Sequence, residues 1–256
     1  MPEDILYQVE GEDVTGQDLT NVVTKIKGEE GTEVTLTMIR GEETLDFTMK
    51  RQMIEVPTIE HEMLENQVGY IMITEFDGVT DEQFQTALTE LQNQGMKKLV
   101  IDLRNNGGGS VESVCNIADE LLPEGAIVYT EYKGKEREAR NSEADCINIP
   151  MSVIINGASA SASEILSGAL QDYGVATIVG TQSYGKGIVQ SILDLQDGTA
   201  LKLTTAKYYT PNGNDIHGVG ITPDVEIDLP EELKTEVTLS FEEDVQLQKA
   251  IEVLQQ

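Results

Sequence analysis

Apolar and polar positions divide the chain into a small front part and a larger second part. Residues 5–9 read as a strand, followed by a turn at 11–15 and a short helix over 19–27. In that helix Leu19, Val22, Val23 and Ile26 recur at helical spacing ahead of Gly28. Residues 34–39 and 45–49 alternate as two strands around a turn at 40–43. A linker around residues 52–58, containing Pro57, precedes the larger region. There, residues 68–73 form a strand and residues 80–94 an amphipathic helix closed by Gly95. Two strand–glycine loop–helix units follow. Residues 98–103 run into Arg104-Asn-Asn-Gly-Gly-Gly109 and a helix over 111–122, stopped by Pro123. Residues 151–155 run into the small residues 157–161 and a helix to 173, ended by Gly174. Residues 175–179 read as another buried strand, 190–195, 200–208 and 225–229 as further strands, and 241–254 as a C-terminal helix. The expected fold class is α/β: residues 53–256 form a core of β-sheets flanked by helices, ending in a β-rich segment plus a C-terminal helix. Residues 1–52 form a partial α/β unit of their own.

Charge narrows the function classes. Forty-six acidic against 17 basic residues give a formal net charge of −29 over 256 residues. Such a surface repels phosphate backbones and anionic lipid, which argues against nucleic-acid and membrane-surface roles. Cys115 and Cys146 stand in no metal-ligand spacing, and their pairing is open. His61 and His217 are the only histidines, too few for a multi-histidine metal site, and a surface or structural role suits His217. No metal or cofactor is expected. No run of about 20 apolar residues is present to span a membrane. The first residues enter a strand almost at once, so an upstream part is expected to be missing, and the lack of a targeting signal says little about location.

Three segments carry chemistry. Ser161 lies in Gly157-Ala-Ser-Ala-Ser-Ala-Ser-Glu164 and Lys186 in Ser183-Tyr-Gly-Lys-Gly187. A hydroxyl and an amine framed by small residues are the parts of a Ser–Lys catalyst, in which a neutral lysine deprotonates the serine. A lysine doing so needs its pKa lowered from about 10.4, by burial or neighbouring positive charge. Each segment has a structural alternative. Ser161-Ala-Ser-Glu164 is also a capping box opening a helix, and Ser159 and Ser163 compete for the same roles. Lys186 also fits an ordinary solvated hairpin. Gln190 could hold the lysine amine only if residues 186–190 curl into a helical turn, because residues four apart on a strand are separated by roughly 13 Å. Arg104-Asn-Asn-Gly-Gly-Gly109 resembles a backbone nest offering N–H groups to an oxyanion, and equally a flexible turn.

Taken together, these strings resemble the C-terminal processing peptidase family of serine–lysine endopeptidases. The resemblance runs through Asp102-Leu-Arg-Asn-Asn-Gly-Gly-Gly109, Ser159-Ala-Ser-Ala-Ser-Glu-Ile165, Gln171-Asp-Tyr-Gly174 and Val179-Gly-Thr181. It continues through Tyr184-Gly-Lys-Gly-Ile-Val-Gln190, residues 203–213 and His217-Gly-Val-Gly-Ile-Thr-Pro-Asp-Val225. It implies Ser161 as nucleophile, Lys186 as general base and Gln190 as the group orienting the lysine. The implied oxyanion hole is the backbone N–H of Ala162 with that of Gly108 or Gly107, Gly108 being preferred. Gly107 departs from the proline of many members. The implied reaction is peptide hydrolysis through an acyl-enzyme, without a cofactor, on proteins with flexible C-termini. An extracytoplasmic location (periplasm, cell surface or secreted) and a PDZ domain whose front half is missing from residues 1–52 are implied as well. A homo-oligomer is left open, and the rival reading is a catalytically silent, peptide-binding remnant of such a protease.

Overall fold

The computed structural model describes residues 4–53, 56–143, 145–195, 198–234 and 239–255. The chain divides into two compact units, Met1–Val56 and Pro57–Gln256.

In the first unit, β1 (Ile5–Val9), β2 (Glu12–Asp13), β3 (Glu33–Arg40) and β4 (Glu43–Lys50) form an antiparallel sheet in the order β2-β1-β3-β4. Helix α1 (Leu19–Ile26) is capped by Asp18, whose carboxylate accepts the Thr20 N–H at 2.9 Å. Val9, Val14, Val22 and Val34 make its small core, with Leu6, Ile26 and Leu36 against them.

The second unit is built on a six-stranded sheet in the order β14-β11-β10-β7-β6-β5. These strands are β5 (Ile59–Leu64), β6 (Val68–Ile73), β7 (Lys98–Asp102), β10 (Met151–Ile155), β11 (Ala176–Gly180) and β14 (Val225–Glu226). All run parallel except β5, which pairs antiparallel to β6. β7 and β10 read as nearly unbroken apolar runs because both faces of the sheet are covered. Leu99, Ile101, Val153, Ile155 and Ile178 lie in the main core with residues of α2 (Thr80–Asn93), α3 (Val111–Asp119) and α4 (Ala162–Asp172). The alternate residues Val100, Ile154 and Val179 pack with Ala250 and Leu254, at the end of the chain around α5 (Val245–Val253).

A separate antiparallel sheet has the order β12-β13-β8-β9, from β8 (Gly125–Tyr132), β9 (Glu138–Ser142), β12 (Ile188–Asp194) and β13 (Ala200–Tyr209). β8 and β9, like β5, were not evident from the residue pattern. β9 has four of its five residues exposed, and β5 has three of its six exposed, so neither has the buried face that alternation would betray. The strand expected over 225–229 spans only two residues, and the C-terminal helix starts at Val245 rather than at 241.

The topology decides where chemistry can occur. β7, β10 and β11 are adjacent and parallel, so the segments leaving their carboxyl ends emerge along one edge of the sheet. Those segments are the glycine loop, the serine turn and the lysine loop. Crevices at this edge are where open α/β sheets bind ligands.

Candidate active site

Backbone bonds draw the three loops together. Ala160 N–H donates to Asn106 O at 3.0 Å, joining the serine turn to the glycine loop, and Tyr184 N–H donates to Ser159 O at 3.0 Å, joining it to the lysine loop. The competing hydroxyls are committed to structure. Buried Ser159 donates its Oγ–H to Leu103 O at 2.8 Å, and buried Ser163 donates to Asn106 O at 2.9 Å. Half-buried Ser161 differs from both: among the described residues its Oγ donates no hydrogen bond and faces only the Glu164 N–H across the capping box. Its backbone sits at φ 56° and ψ −111°, at the N-cap of α4. A non-glycine residue there costs of order 1–3 kcal/mol and persists only where the surroundings impose it.

Glu164 does much of the imposing. It is fully buried, and its carboxylate accepts four hydrogen bonds. Oε2 takes the backbone N–H groups of Ser161 and Lys186, each at 2.8 Å. Oε1 takes the Ser183 hydroxyl and the Gly185 N–H, each at 2.6 Å. One oxygen thus holds the backbone nitrogens of Ser161 and Lys186 within two hydrogen-bond lengths of each other. The bond to Ser161 is the reach-back half of the capping box legible in the sequence. The three from residues 183–186 are non-local and were not.

The lysine loop is braced from behind. Ser183 exchanges hydrogen bonds with Ile221, accepting its N–H on Oγ at 2.6 Å and donating its own N–H to Ile221 O at 3.1 Å. The Gly218 N–H donates to Gly185 O at 2.9 Å. A Cβ on Gly187 would fall 2.5 Å from His217 N, so this glycine is required by close approach. His217 presents its backbone to Gly187, and its side chain is exposed. The Lys186 side chain is exposed, and in this state its Nζ makes no hydrogen bond to Ser161 Oγ. Gln190 lies in extended β12 opposite Thr204, next to a bulge between Val189 and Gln190, and not in a helical turn. No hydrogen bond links it to Lys186 among the described residues.

The glycine loop is similarly over-determined. Asn106, fully buried, donates its amide to Ile73 O at 2.8 Å and accepts the Gly108 N–H on Oδ1 at 2.8 Å. The Gly108 donor is therefore internally bonded in this state, whereas the Gly107 N–H has no partner among the described residues. The Ala162 N–H, at the first position of α4, is likewise without one. Gly108, at φ +100°, leaves no room for a side chain: a Cβ there would lie 2.7 Å from both Ala160 O and Ser161 Cβ and 2.9 Å from Ala162 N. Gly108→Ala should therefore lower stability by about 2–4 kcal/mol. At Gly107 a Cβ meets nothing within 4 Å, and Gly107→Ala should stay within about 0.5 kcal/mol of the parent. Denaturant unfolding of the two variants checks both values.

Among the described residues no cluster of His, Cys, Asp and Glu could hold a metal ion. Both cysteines are free, and burial pushes the Cys115 thiol up to about 11, which keeps it protonated and unreactive near neutral pH.

A hydroxyl on a strained helix N-cap lies here beside unpartnered N–H groups and a lysine loop, the kinds of group that acyl transfer uses. The chain belongs to peptidase family S41, whose profile matches residues 67–227. It is 40% identical over 233 residues to a "Probable CtpA-like serine protease" of Staphylococcus aureus strain COL, and 37% identical to the protein of the same name from Staphylococcus saprophyticus. Each match covers 90% of this chain and 47% of the relative, so the chain spans about half the length of these relatives. Among solved structures, the photosystem II D1 C-terminal processing protease is 32% identical with a TM-score of 0.64. That match covers 91% of this chain and 65% of the other.

Proposed function

We propose that this chain is the core of a serine endopeptidase that cleaves polypeptides through an acyl-enzyme. The reading is carried by the Ser161 turn: a strained residue whose hydroxyl donates to no described residue and whose N–H shares one Glu164 oxygen with the N–H of Lys186. In the proposed reaction the Lys186 side chain swings onto Ser161, and its neutral amine takes the hydroxyl proton as Oγ attacks the scissile carbonyl carbon. The oxyanion then forms beside the Ala162 N–H and a glycine-loop N–H. Gly107 offers its donor directly, and Gly108 does so once it leaves Asn106. The protonated amine delivers its proton to the departing peptide nitrogen. Water, deprotonated by the same lysine, then attacks the ester carbonyl; the acyl–oxygen bond breaks, the product carboxylate leaves, and the lysine returns its proton to Ser161 Oγ. Gln190 would orient the lysine only after a local rearrangement of β12, because it starts from an extended strand.

The likeness to C-terminal processing enzymes supports flexible C-terminal tails as substrates, an extracytoplasmic location, and a PDZ-like role for residues 1–52. A second reading, a chain that binds peptides without turnover, is favoured by the lack of an Oγ–Nζ bond in this state.

The deciding experiment is time-resolved digestion of casein at neutral to mildly alkaline pH, comparing the parent with Ser161→Ala and Lys186→Ala. Cleavage by the parent alone supports the protease reading. A folded parent that binds peptide and cleaves nothing establishes the second. Activity that survives Ser161→Ala removes the first.

A further inference from the structure

Arg104, the first residue of the glycine loop, is clamped between two buried carboxylates. Asp102 takes Nε at 3.0 Å on either oxygen and Nη2 at 2.6 Å. Asp244 takes the other side of the guanidinium as a two-point fork, Nη1 at 3.0 Å and Nη2 at 2.7 Å. Gln246 Oε1 accepts a further bond from Nη1 at 3.2 Å, and the Tyr70 hydroxyl donates to Asp102 at 2.8 Å. Side-chain exposures of 13% for Arg104, 2% for Asp102 and 7% for Asp244 place the whole assembly out of bulk water. Asp102 is two residues from Arg104, whereas Asp244 is 140 residues away, at the N-cap of α5. There its Oδ1 also accepts the Leu247 N–H at 2.9 Å. The helix itself is fixed to the sheet by Ala250 and by the Ser152 hydroxyl, which donates to Ala250 O at 2.8 Å.

We propose that Asp244 is a positioning residue for the active site: the start of the C-terminal helix holds Arg104 and, through it, the glycine loop in its oxyanion-donating shape. The proposal rests on the glycine-loop role given above. Beyond Arg104 the loop passes through left-handed Asn105 (φ 59°), Gly108 (φ 100°) and Gly109 (φ 142°). Such a path holds only if both ends are fixed. The far end is fixed by Phe76, whose N–H donates to Gly108 O at 3.0 Å and whose carbonyl accepts the Ser110 N–H at 2.7 Å. At the near end, the Arg104 N–H donates to Asp102 Oδ1 at 2.9 Å, and the guanidinium is locked between two elements distant in sequence. The planar fork has one geometry that satisfies both carboxylates, so it fixes direction as well as distance. Without Asp244 the guanidinium keeps a single charged partner, and the root of the loop is held only by the Arg104 N–H on Asp102 and by the paired Asn105 and Asn156.

Asp244→Ser separates this role from capping, since serine is a strong N-cap but cannot form the fork. Leu254→Ala is the control: it loosens the packing around α5 without touching Arg104. Each variant is read by kcat and KM on an unstructured protein and by amide hydrogen exchange without substrate at Gly108 and Ser110, whose N–H groups are bonded. Because a displacement of about 1 Å can cost about 100-fold, Asp244→Ser should lower kcat roughly 10- to 100-fold with KM within about threefold. Loop exchange should rise about tenfold, while Leu254→Ala leaves kcat and loop exchange within about twofold. An unchanged kcat and unchanged loop exchange in Asp244→Ser, or equal effects in Leu254→Ala, would overturn the proposal. Should Asp244→Ser fail to fold, Asp244→Asn keeps a capping oxygen but loses the charged two-point fork; its loop exchange should still rise severalfold, and no rise overturns the proposal. Exchange is measurable without turnover, so a parent lacking serine-dependent cleavage sinks the reaction, whereas unmoved loop amides sink the role of Asp244.

Discussion

Ser161→Ala should lower kcat on an unstructured protein by about 10⁴- to 10⁶-fold, and Lys186→Ala should reach a similar floor. The double variant should fall no further, because nucleophile and base act as one unit and removing either disables the same step. The structure makes this a clean test. Ser161 Oγ donates to no described residue and meets only the Glu164 N–H of its capping box, and Lys186 is exposed, so neither truncation opens a cavity. Lys186→Ala should therefore unfold within about 0.5 kcal/mol of the parent, and Ser161→Ala should lose about 1 kcal/mol, the cost of an N-cap. Ser159→Ala and Ser163→Ala should differ from these in rate. Their hydroxyls satisfy Leu103 O and Asn106 O, so each should cost about 1 kcal/mol of stability while leaving a nucleophile in place. Rates for the four single variants and the double variant, each with a denaturation curve, decide the matter. Turnover above one tenth of the parent in Ser161→Ala would remove it as nucleophile. A stability loss of several kcal/mol would show that its hydroxyl is structural.

The contrast among these serines shows what the sequence could reveal. A run of small residues after a buried strand marked a turn into a helix, and Glu164 three residues past Ser161 marked its cap. Which of the three hydroxyls donates to no described residue depends on Leu103 and Asn106, more than 50 residues upstream, and only the parallel pairing of β7 with β10 brings them near. β7 and β10 were legible because burial on both faces writes continuous apolar runs. β9 was not, because an exposed edge strand of Glu, Ala, Arg, Asn and Ser is held by backbone pairing to β8, which side-chain pattern does not encode. Gln190 shows the same limit. Spacing allowed a helical turn with Lys186, but seven residues of antiparallel pairing with β13 hold the segment extended. The grip of Asp244 on Arg104 was invisible for the plainest reason: 140 residues separate the partners, and the charges of an acidic chain all look alike in one dimension.

Glu164 brings the local and non-local parts together, and its substitutions should rank in a defined order. In Glu164→Gln one carboxylate oxygen becomes an NH₂ group and must face two former donors. If it faces Ser161 and Lys186, two backbone N–H groups that cannot turn away are left opposed. If it faces Ser183 and Gly185, the serine hydroxyl can rotate to accept from the new amide, and only the Gly185 N–H is opposed. The second orientation costs less and keeps the oxygen shared by Ser161 and Lys186. Glu164→Gln should therefore fold, lose about 1–3 kcal/mol of stability and lose roughly 10- to 100-fold in kcat. Glu164→Ala removes all four acceptor contacts from a fully buried site, leaving three backbone N–H groups without their partner and the Ser183 hydroxyl free to swing. The expected loss is about 3–5 kcal/mol, near what breaking a buried charged network costs, with kcat down roughly 10²- to 10³-fold in whatever remains folded. Glu164→Asp keeps the charge but withdraws it by one methylene, too short to reach both Ser161 and the lysine loop, and should fall between the two. Ser161 reactivity toward a fluorophosphonate supplies the separate readout, because it reports the nucleophile turn without needing a bound polypeptide. Labelling should slow in the order Gln, Asp, Ala. Labelling and kcat that stay at parental values in Glu164→Ala would mean that the strained serine is held by its own turn alone, and that the shared oxygen is only a structural bond.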